Sequence, residues 1–215
     1  MAPRDSQKKP YHWGEQLRGD LVAEALRQVE PLGIAGLSTR EVARGVGVSH
    51  AAPAHYFPDR LALAAAVAAA GFEQMYESIE AAVRARRKPS EKLLAACLAY
   101  VEFALESRGV YRTMYAPELA ERLNNLPRSR KGVDDFTTLS QLKAKGFGVF
   151  VDIVRDGQAE GVFRAGKADD LARAATAAAH GLARQFIDEG LGARIDRMAH
   201  ARQVIGIVLD GLEAR

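Results

Sequence analysis

The sequence predicts an all-α protein in which a small helix-turn-helix unit is joined by one long helix to a larger helical part. Three observations predict it. Apolar residues recur at spacings of three and four along most of the chain, and no stretch alternates with period two. Ser38 to Arg60, STREVARGVGVSHAAPAHYFPDR, reads as two brief helices around a glycine turn. A single apolar-periodic run then continues from Leu61 to about Arg87, some 40 Å of helix at 1.5 Å per residue.

The chain opens with MAPRDSQKKPYHW, residues 1–13, which has two prolines and no helical period. It reads as a mobile arm. Arg4, Lys8 and Lys9 against Asp5 make it basic, so it is either an arm that touches phosphates or the minor groove, or a solvated tail. From about Gly14 to Glu30, Leu17, Leu21, Val22, Ala25, Leu26 and Val29 mark one helix face, stopped by Pro31 and Gly33. Ile34 and Leu37 would complete the core behind the helix-turn-helix.

Ser38 precedes Glu41 by three residues, the capping-box pattern in which hydroxyl and carboxylate each satisfy a backbone N–H. The first short helix is expected from Thr39 to about Arg44, with Val42 and Ala43 inward. Gly45 and Gly47 are expected to supply the turn, because glycine accepts positive φ. Ser49 is expected to cap a second helix, His50 to about Tyr56, which carries His50, His55 and Tyr56 and little to bury. That is the helix that would enter a major groove.

Pro58 and Asp59 suit the start of the long helix. RARRK, Arg84 to Lys88, closes it, and cations at the carbonyl end of a helix explain that run better than a nucleic-acid patch. Ser90 should cap the next helix, to about Arg108, ended by Gly109. VYRTMYAPEL then has room for a helical turn or two, and Asn124 to Gly132 reads as a polar loop. Asp134 or Asp135 opens a helix to Glu160, with Gly161 at its C-terminal turn. Asp169 and Asp170 begin an alanine-rich helix to about Gly190, and the last helix runs from about Ile195 to Leu212. Met198, Ala201, Ile205, Val208 and Leu212 form a coiled-coil-like seam on it.

The 215 residues are 48% hydrophobic, enough for a sizeable core, and the net charge is only +3. Residues 1–60 carry eight Lys and Arg against seven Asp and Glu, so any basic surface must be local. The single cysteine, Cys97, excludes an internal disulfide framework and sits among leucines as a small buried hydrophobe. No apolar run reaches the ~20 residues of a membrane span, and the polar start is unlike a secretory leader. A cytoplasmic protein is expected. There is no phosphate loop, nucleophile elbow or paired-carboxylate motif, and the five histidines lack ligand spacing, so neither an enzyme nor a metal site is expected.

These residues resemble the tetracycline-repressor-type (TetR/AcrR) transcriptional regulators. YHWGEQLRGDLVAEAL is similar to the YHxGxLRxxLLxAAL opening of one branch, and LSTREVARGVGVSHAAPAHYFPDRLAL resembles its second to fourth helices. YVEFALESRGVYRTMY and AEGVFRAGKADDLARAATAAAHGLA look like that branch's ligand-binding part. Its Trp-x-x-x-His-Gly motif ends here in His180-Gly181, with Thr176 in place of Trp.

The resemblance implies a homodimer that binds a palindromic double-stranded DNA operator and is released by an unidentified small-molecule effector, with no other cofactor. Residues 1–60 would form the DNA-binding domain and 61–215 the ligand-binding and dimerisation domain. By position, Ser38, Thr39 and Arg40 fall at phosphate contacts, and Ser49, His50 and Ala52 at base- or groove-facing positions. His55 and Tyr56 fall at backbone contacts, and Arg60 at a phosphate clamp. The chain departs from the family in having Ala54 where Tyr is usual, Tyr56 where His is usual, and Pro53 within the reading helix. An imidazole at position 50 can donate or accept at a base edge; the alternative is an exposed helix histidine.

The candidate effector pocket comprises Phe72, Met75, Tyr76, Tyr100, Phe103, Tyr111, Arg112, Met114, Tyr115, Phe147, Phe150 and His180. Aromatic and Met residues at such spacing are also what plain core looks like. Ala178, Gly181, Leu182 and Phe186, with Met198, Ala201, Ile205, Val208 and Leu212, form either the core of one subunit or half of a four-helix bundle across a two-fold axis. The other function the sequence allows is an all-α small-molecule-binding protein that does not touch DNA.

Overall fold

The computed structural model describes residues 12–125, 134–188, 190 and 195–214. Most of the predicted arm and most of the Asn124–Gly132 loop lie outside them. Helices account for all the regular structure described, and an isolated antiparallel bridge joins Phe163 to Glu213.

Helix α1, His12–Leu32, buries Leu21, Ala25 and Val29 completely, a face four residues apart. It runs through Pro31 for one further residue before Gly33, at φ 64°, turns the chain into a 3-10 turn, Gly33–Gly36. Helix α2, Thr39–Val46, starts as expected: Ser38 Oγ accepts the Glu41 N–H at 3.4 Å. The reciprocal half of the capping box is absent. The Ser38 N–H donates to Gln28 Oε1 of α1 at 3.3 Å, and the Glu41 carboxylate pairs with Arg44 one turn on.

Only Gly47 makes the turn, at φ 76°, donating to Ala43 and Arg44 carbonyls. Gly45 lies inside α2 instead. A Cβ there would sit 2.5 Å from the Glu24 carboxylate, so this glycine permits α2 to close on α1.

Helix α3, Arg60–Arg84, is capped by Asp59, whose Oδ1 accepts the Ala62 N–H at 2.8 Å; Pro58 precedes the cap rather than entering the helix. At 25 residues it spans about 37 Å. Ala62 to Ala69 are all buried, so this stretch is wrapped on every side by α1, α4, α5 and α7.

Helix α4, Pro89–Glu106, starts at the proline, which has no N–H to lose at a first-turn position; Ser90 lies inside it and caps nothing. The predicted stop at Gly109 is also displaced. α4 ends at Glu106, and Gly109 is the second residue of α5, Arg108–Met114. Helix α6, Pro117–Asn124, follows. Helix α7, Asp135–Ala159, has Asp134 as its cap and Gly161, at φ 71°, just beyond its end. Helix α8 is Ala168–Asp188, and α9, Arg197–Asp210, is capped by Asp196.

One contiguous hydrophobic cluster runs from Leu21 of α1 to Leu212. Arg18 of α1 pairs with Asp135 at the start of α7 and lies 5.1 Å from the Phe57 ring centre, tying the first and later helices together. Cys97 is fully buried, and burial pushes its thiol up to about 12. Among the described residues no helix is long and apolar enough to cross a membrane.

Candidate DNA-reading surface and effector cleft

The second helix of the reader is shorter than expected. The segment after Gly47 contains only a 3-10 turn, Ala52–His55, and its cap position is Ala51, with no side-chain cap. Ser49 therefore does not cap a helix through its hydroxyl. The cause is Pro53. An α-helix begun at Ser49 needs the N–H of residue 53 for the Ser49 carbonyl, and proline has none. That carbonyl takes the Ala52 N–H instead, at 2.9 Å, and the tighter i→i+3 pattern continues to Tyr56. Pro53→Ala is expected to restore the missing bond and extend the segment towards α-helix. A slowly exchanging amide at position 53 in hydrogen-exchange NMR would show it.

Arg40, Ser49, His50 and His55 stand exposed on this surface, and Ser38, Thr39 and Ala52 are half-buried beside them. Tyr56 is half-buried in a groove with Gly14, Leu17 and Val48, so its ring packs towards α1. Arg60 is exposed, and its Nη1 donates to the Ile34 carbonyl of the 3-10 turn at 2.9 Å. It thus ties the first turn of α3 to the 3-10 turn after α1, and among the described residues its other N–H groups have no partner.

Five of the predicted pocket residues converge. Tyr111 Oη lies 2.7 Å and Tyr100 Oη 2.9 Å from His180 Nδ1, while Tyr100 donates to Tyr115 Oη at 2.7 Å. Phe72 meets the Tyr115 ring edge-on at 5.6 Å. With Nδ1 as the acceptor the His180 proton sits on Nε2; with Nδ1 as the donor it sits on Nδ1 and Nε2 is an acceptor. Burial raises all three phenols, Tyr115 to about 12, so each keeps its hydrogen. Burial, then the Arg184 and Lys143 charges, lower His180 and hold it neutral.

That shift carries a pH dependence. The folded-state value lies below the unfolded value of about 6.5, so the unfolded chain takes up the proton first. The stability that neutral His180 contributes is complete above about pH 6.5 and is lost as pH falls through the folded value. His180→Gln is expected to flatten this acid limb, read by denaturant unfolding at stepped pH.

The remaining predicted pocket residues do not join the cluster. Met75, Phe103, Met114 and Phe150 are core. Tyr76 donates to Glu80 beneath Lys145, and Phe147 is half-buried under Arg173. Arg112 reaches across to α8, donating from Nε to Asp188 Oδ1 at 2.9 Å and from Nη2 to the Ile187 carbonyl at 3.2 Å.

A cleft of about 550 Å³ opens onto Tyr115 and His180. Its walls are the end of α1 and the 3-10 turn on one side, and α5, α6 and α8 on the other. Sequence reasoning missed Leu32, Ile34, Arg184 and Asp188 in these walls. Only the i,i+4 spacing of His180, Arg184 and Asp188 along α8 gave a signal.

The interface candidates divide. Leu182, Phe186, Ala201, Ile205 and Leu212 are buried within their own subunit, because the α9 seam faces α4 and α8. Met198 packs partly against the same core, and Val208 is half-buried. Ala178 and Gly181 lie on the other side, with Ala174 and Ala177 of α8 and Gly206 and the 67%-exposed Ile207 of α9. A Cβ at Gly181 or Gly206 would meet open space.

A glycine-turned pair of short elements, a long connecting helix and an all-helical body define a helix-turn-helix transcriptional regulator. The family model described as "Tetracyclin repressor-like, C-terminal domain" matches residues 93–207, and the chain belongs to that family. No functionally curated protein matches the sequence significantly. Among solved structures, a protein with unknown function from Rhodococcus sp. RHA1 is 29% identical, with 98% of this chain and 99% of that one covered and a TM-score of 0.76. The TetR family transcriptional regulator PfmR from Thermus thermophilus is 21% identical over 90% of this chain and 98% of its own, with a TM-score of 0.65. A putative transcriptional regulator from Saccharomonospora viridis, solved in complex with choline, is 19% identical over 94% and 100%, with a TM-score of 0.68. The family is one of transcriptional regulators, not enzymes.

Proposed function

We propose that the chain is a ligand-responsive, sequence-specific regulator that represses from a palindromic operator and is released by a small molecule. One observation carries this reading: the exposed Arg40, His50 and His55 surface is tied, through Arg60 and the Ile34 carbonyl, to the wall of the effector cleft. The reader is residues 1–60 and the regulatory part 61–215. Two copies associate through the open face of Ala174, Ala177, Ala178 and Gly181 on α8 with Gly206 and Ile207 on α9, where small side chains allow close helix approach. The effector is the only bound cofactor in this reading.

The test is a mobility-shift assay against DNA from the protein's own gene neighbourhood. Salt-sensitive binding to a palindrome is expected, with half-site centres about one helical turn or slightly more apart. Arg60→Ala should weaken all sequences alike, whereas His50→Ala should mainly blunt sequence preference, by about 1 kcal/mol at the base it reads, less than a bidentate pair would give. Equal losses on operator and random duplex for both variants would remove those roles. Failure to bind any duplex at low salt would leave an all-α small-molecule-binding protein.

A further inference from the structure

We propose that the cleft between the reader and the regulatory helices binds a small organic acid, whose carboxylate accepts hydrogen bonds from Tyr115 Oη and His180 Nε2. This rests on the ligand-responsive reading above and specifies its effector.

The hydrogen inventory of the cluster points to it. Three phenolic O–H groups and one imidazole N–H are present. Tyr100 gives its hydrogen to Tyr115, and in the Nε2–H tautomer that belongs to the proposal Tyr111, 2.7 Å from His180 Nδ1 and 3.2 Å from Tyr100 Oη, gives its hydrogen to Nδ1. The Tyr115 hydrogen and the Nε2 hydrogen are left, and no acceptor for either occurs among the described residues. Tyr115 and His180 are the two cluster members that line the cleft. A site that offers two donors and no acceptor selects a ligand rich in acceptors.

The charges favour an anion. Arg112 and Arg184 each place Nε 2.9 Å from a different oxygen of Asp188, so this group carries a net positive charge with its one carboxylate already satisfied on both oxygens. Lys143 lies 5.8 Å from the centre of the Tyr115 ring. Glu118 lines the cleft but is exposed, so water screens it. The charges felt at His180 come from Arg184 and Lys143, both positive.

The walls accommodate an apolar body. Leu32 is 68% exposed, which the fold itself does not explain, and it flanks the cleft with Ile34 and Pro117. The volume lies within the ~300–1,000 Å³ of small-molecule sites. A ligand seated there presses on Gly33–Ala35, the turn whose Ile34 carbonyl anchors Arg60.

Benzoate, phenylacetate and hexanoate would be titrated calorimetrically against their neutral amides, with the full-length protein at pH 7.5. At least one acid should bind about tenfold or more tightly than its amide, and Tyr115→Phe should remove about tenfold of that affinity. In wild-type protein labelled with 15N-histidine, that acid should shift the His180 Nε2 resonance while Nε2 stays protonated, a readout independent of how well the variant folds. If no acid outbinds its amide, or if the best acid leaves Nε2 unmoved, the proposal is overturned. Operator binding by ligand-free wild type is measured separately. Acids that fail against a protein that does bind operator overturn the site alone, and loss of operator binding overturns the regulator reading alone.

Discussion

Gly109→Ala is expected to destabilise the protein by about 3 kcal/mol, although alanine is the better helix former. Propensity alone predicts a gain of up to about 1 kcal/mol inside a helix. The position decides otherwise. A Cβ at Gly109 would stand 2.0 Å from the Val29 carbonyl oxygen, 2.3 Å from that of Glu30 and 2.4 Å from the Glu30 Cα. These are backbone atoms of α1, so no side chain can turn aside, and α5 must move away from α1 as a body. Overpacking of this kind costs about 1–3 kcal/mol and sometimes more. In a chain of this size about 3 kcal/mol lowers Tm by roughly 6–12 °C, read by circular dichroism. An unchanged or higher Tm would show that the α1–α5 seam yields easily. Such a seam could not transmit force to the reader.

Tyr111→Ala is expected to cost about 3–5 kcal/mol, the range for removing a buried aromatic ring. Tyr111 is fully buried, 5.0 Å from the Tyr115 ring centre and 5.9 Å from that of Tyr100. Tyr111→Phe separates ring from hydroxyl. It keeps the packing and removes the 2.7 Å bond to His180 Nδ1, but Tyr100 Oη remains 2.9 Å from the same nitrogen. The phenylalanine variant should therefore lose only about 1 kcal/mol. Denaturant unfolding of both variants measures the ratio. If both lose the same amount, the hydrogen-bond network rather than the ring holds this part of the core.

Periodicity made the helices legible, since burial on one face is what writes the pattern. Leu21, Ala25 and Val29 are buried as their spacing predicts. Caps that depend on one local side chain were also legible at Ser38, Asp134 and Gly161. Two expectations failed locally, at Pro53 after Ser49 and at Pro89 before Ser90, and others failed through partners distant in sequence. Glu41 could not complete its box because Gln28, ten residues before the cap, had already taken the Ser38 N–H. Gly45 and Gly109 look like helix punctuation, yet each is a place where another helix comes close. The tyrosine–histidine cluster was half legible. Its members were among the candidates, but so were Met75 and Phe150, because core and cavity share the same residue types. Of the expected α9 seam, Ala201, Ile205 and Leu212 are buried, Leu212 from just beyond the helix; Leu209 is buried where Val208 was expected, and α9 packs on helices of the same subunit.

The run from Ala62 to Ala69 has a mechanical consequence. Six of its eight residues are alanine, and all are enclosed. Methyl-sized side chains lay down a smooth track with few knobs to seat in neighbouring holes. Within this run only Leu63 and Val67 project as knobs, so the interlocking that fixes the lengthwise position of α3 falls to Phe72, Met75 and Ile79 further along it. The register of the rod nearest the reader is therefore set by its far half, not by the alanines beside the reader.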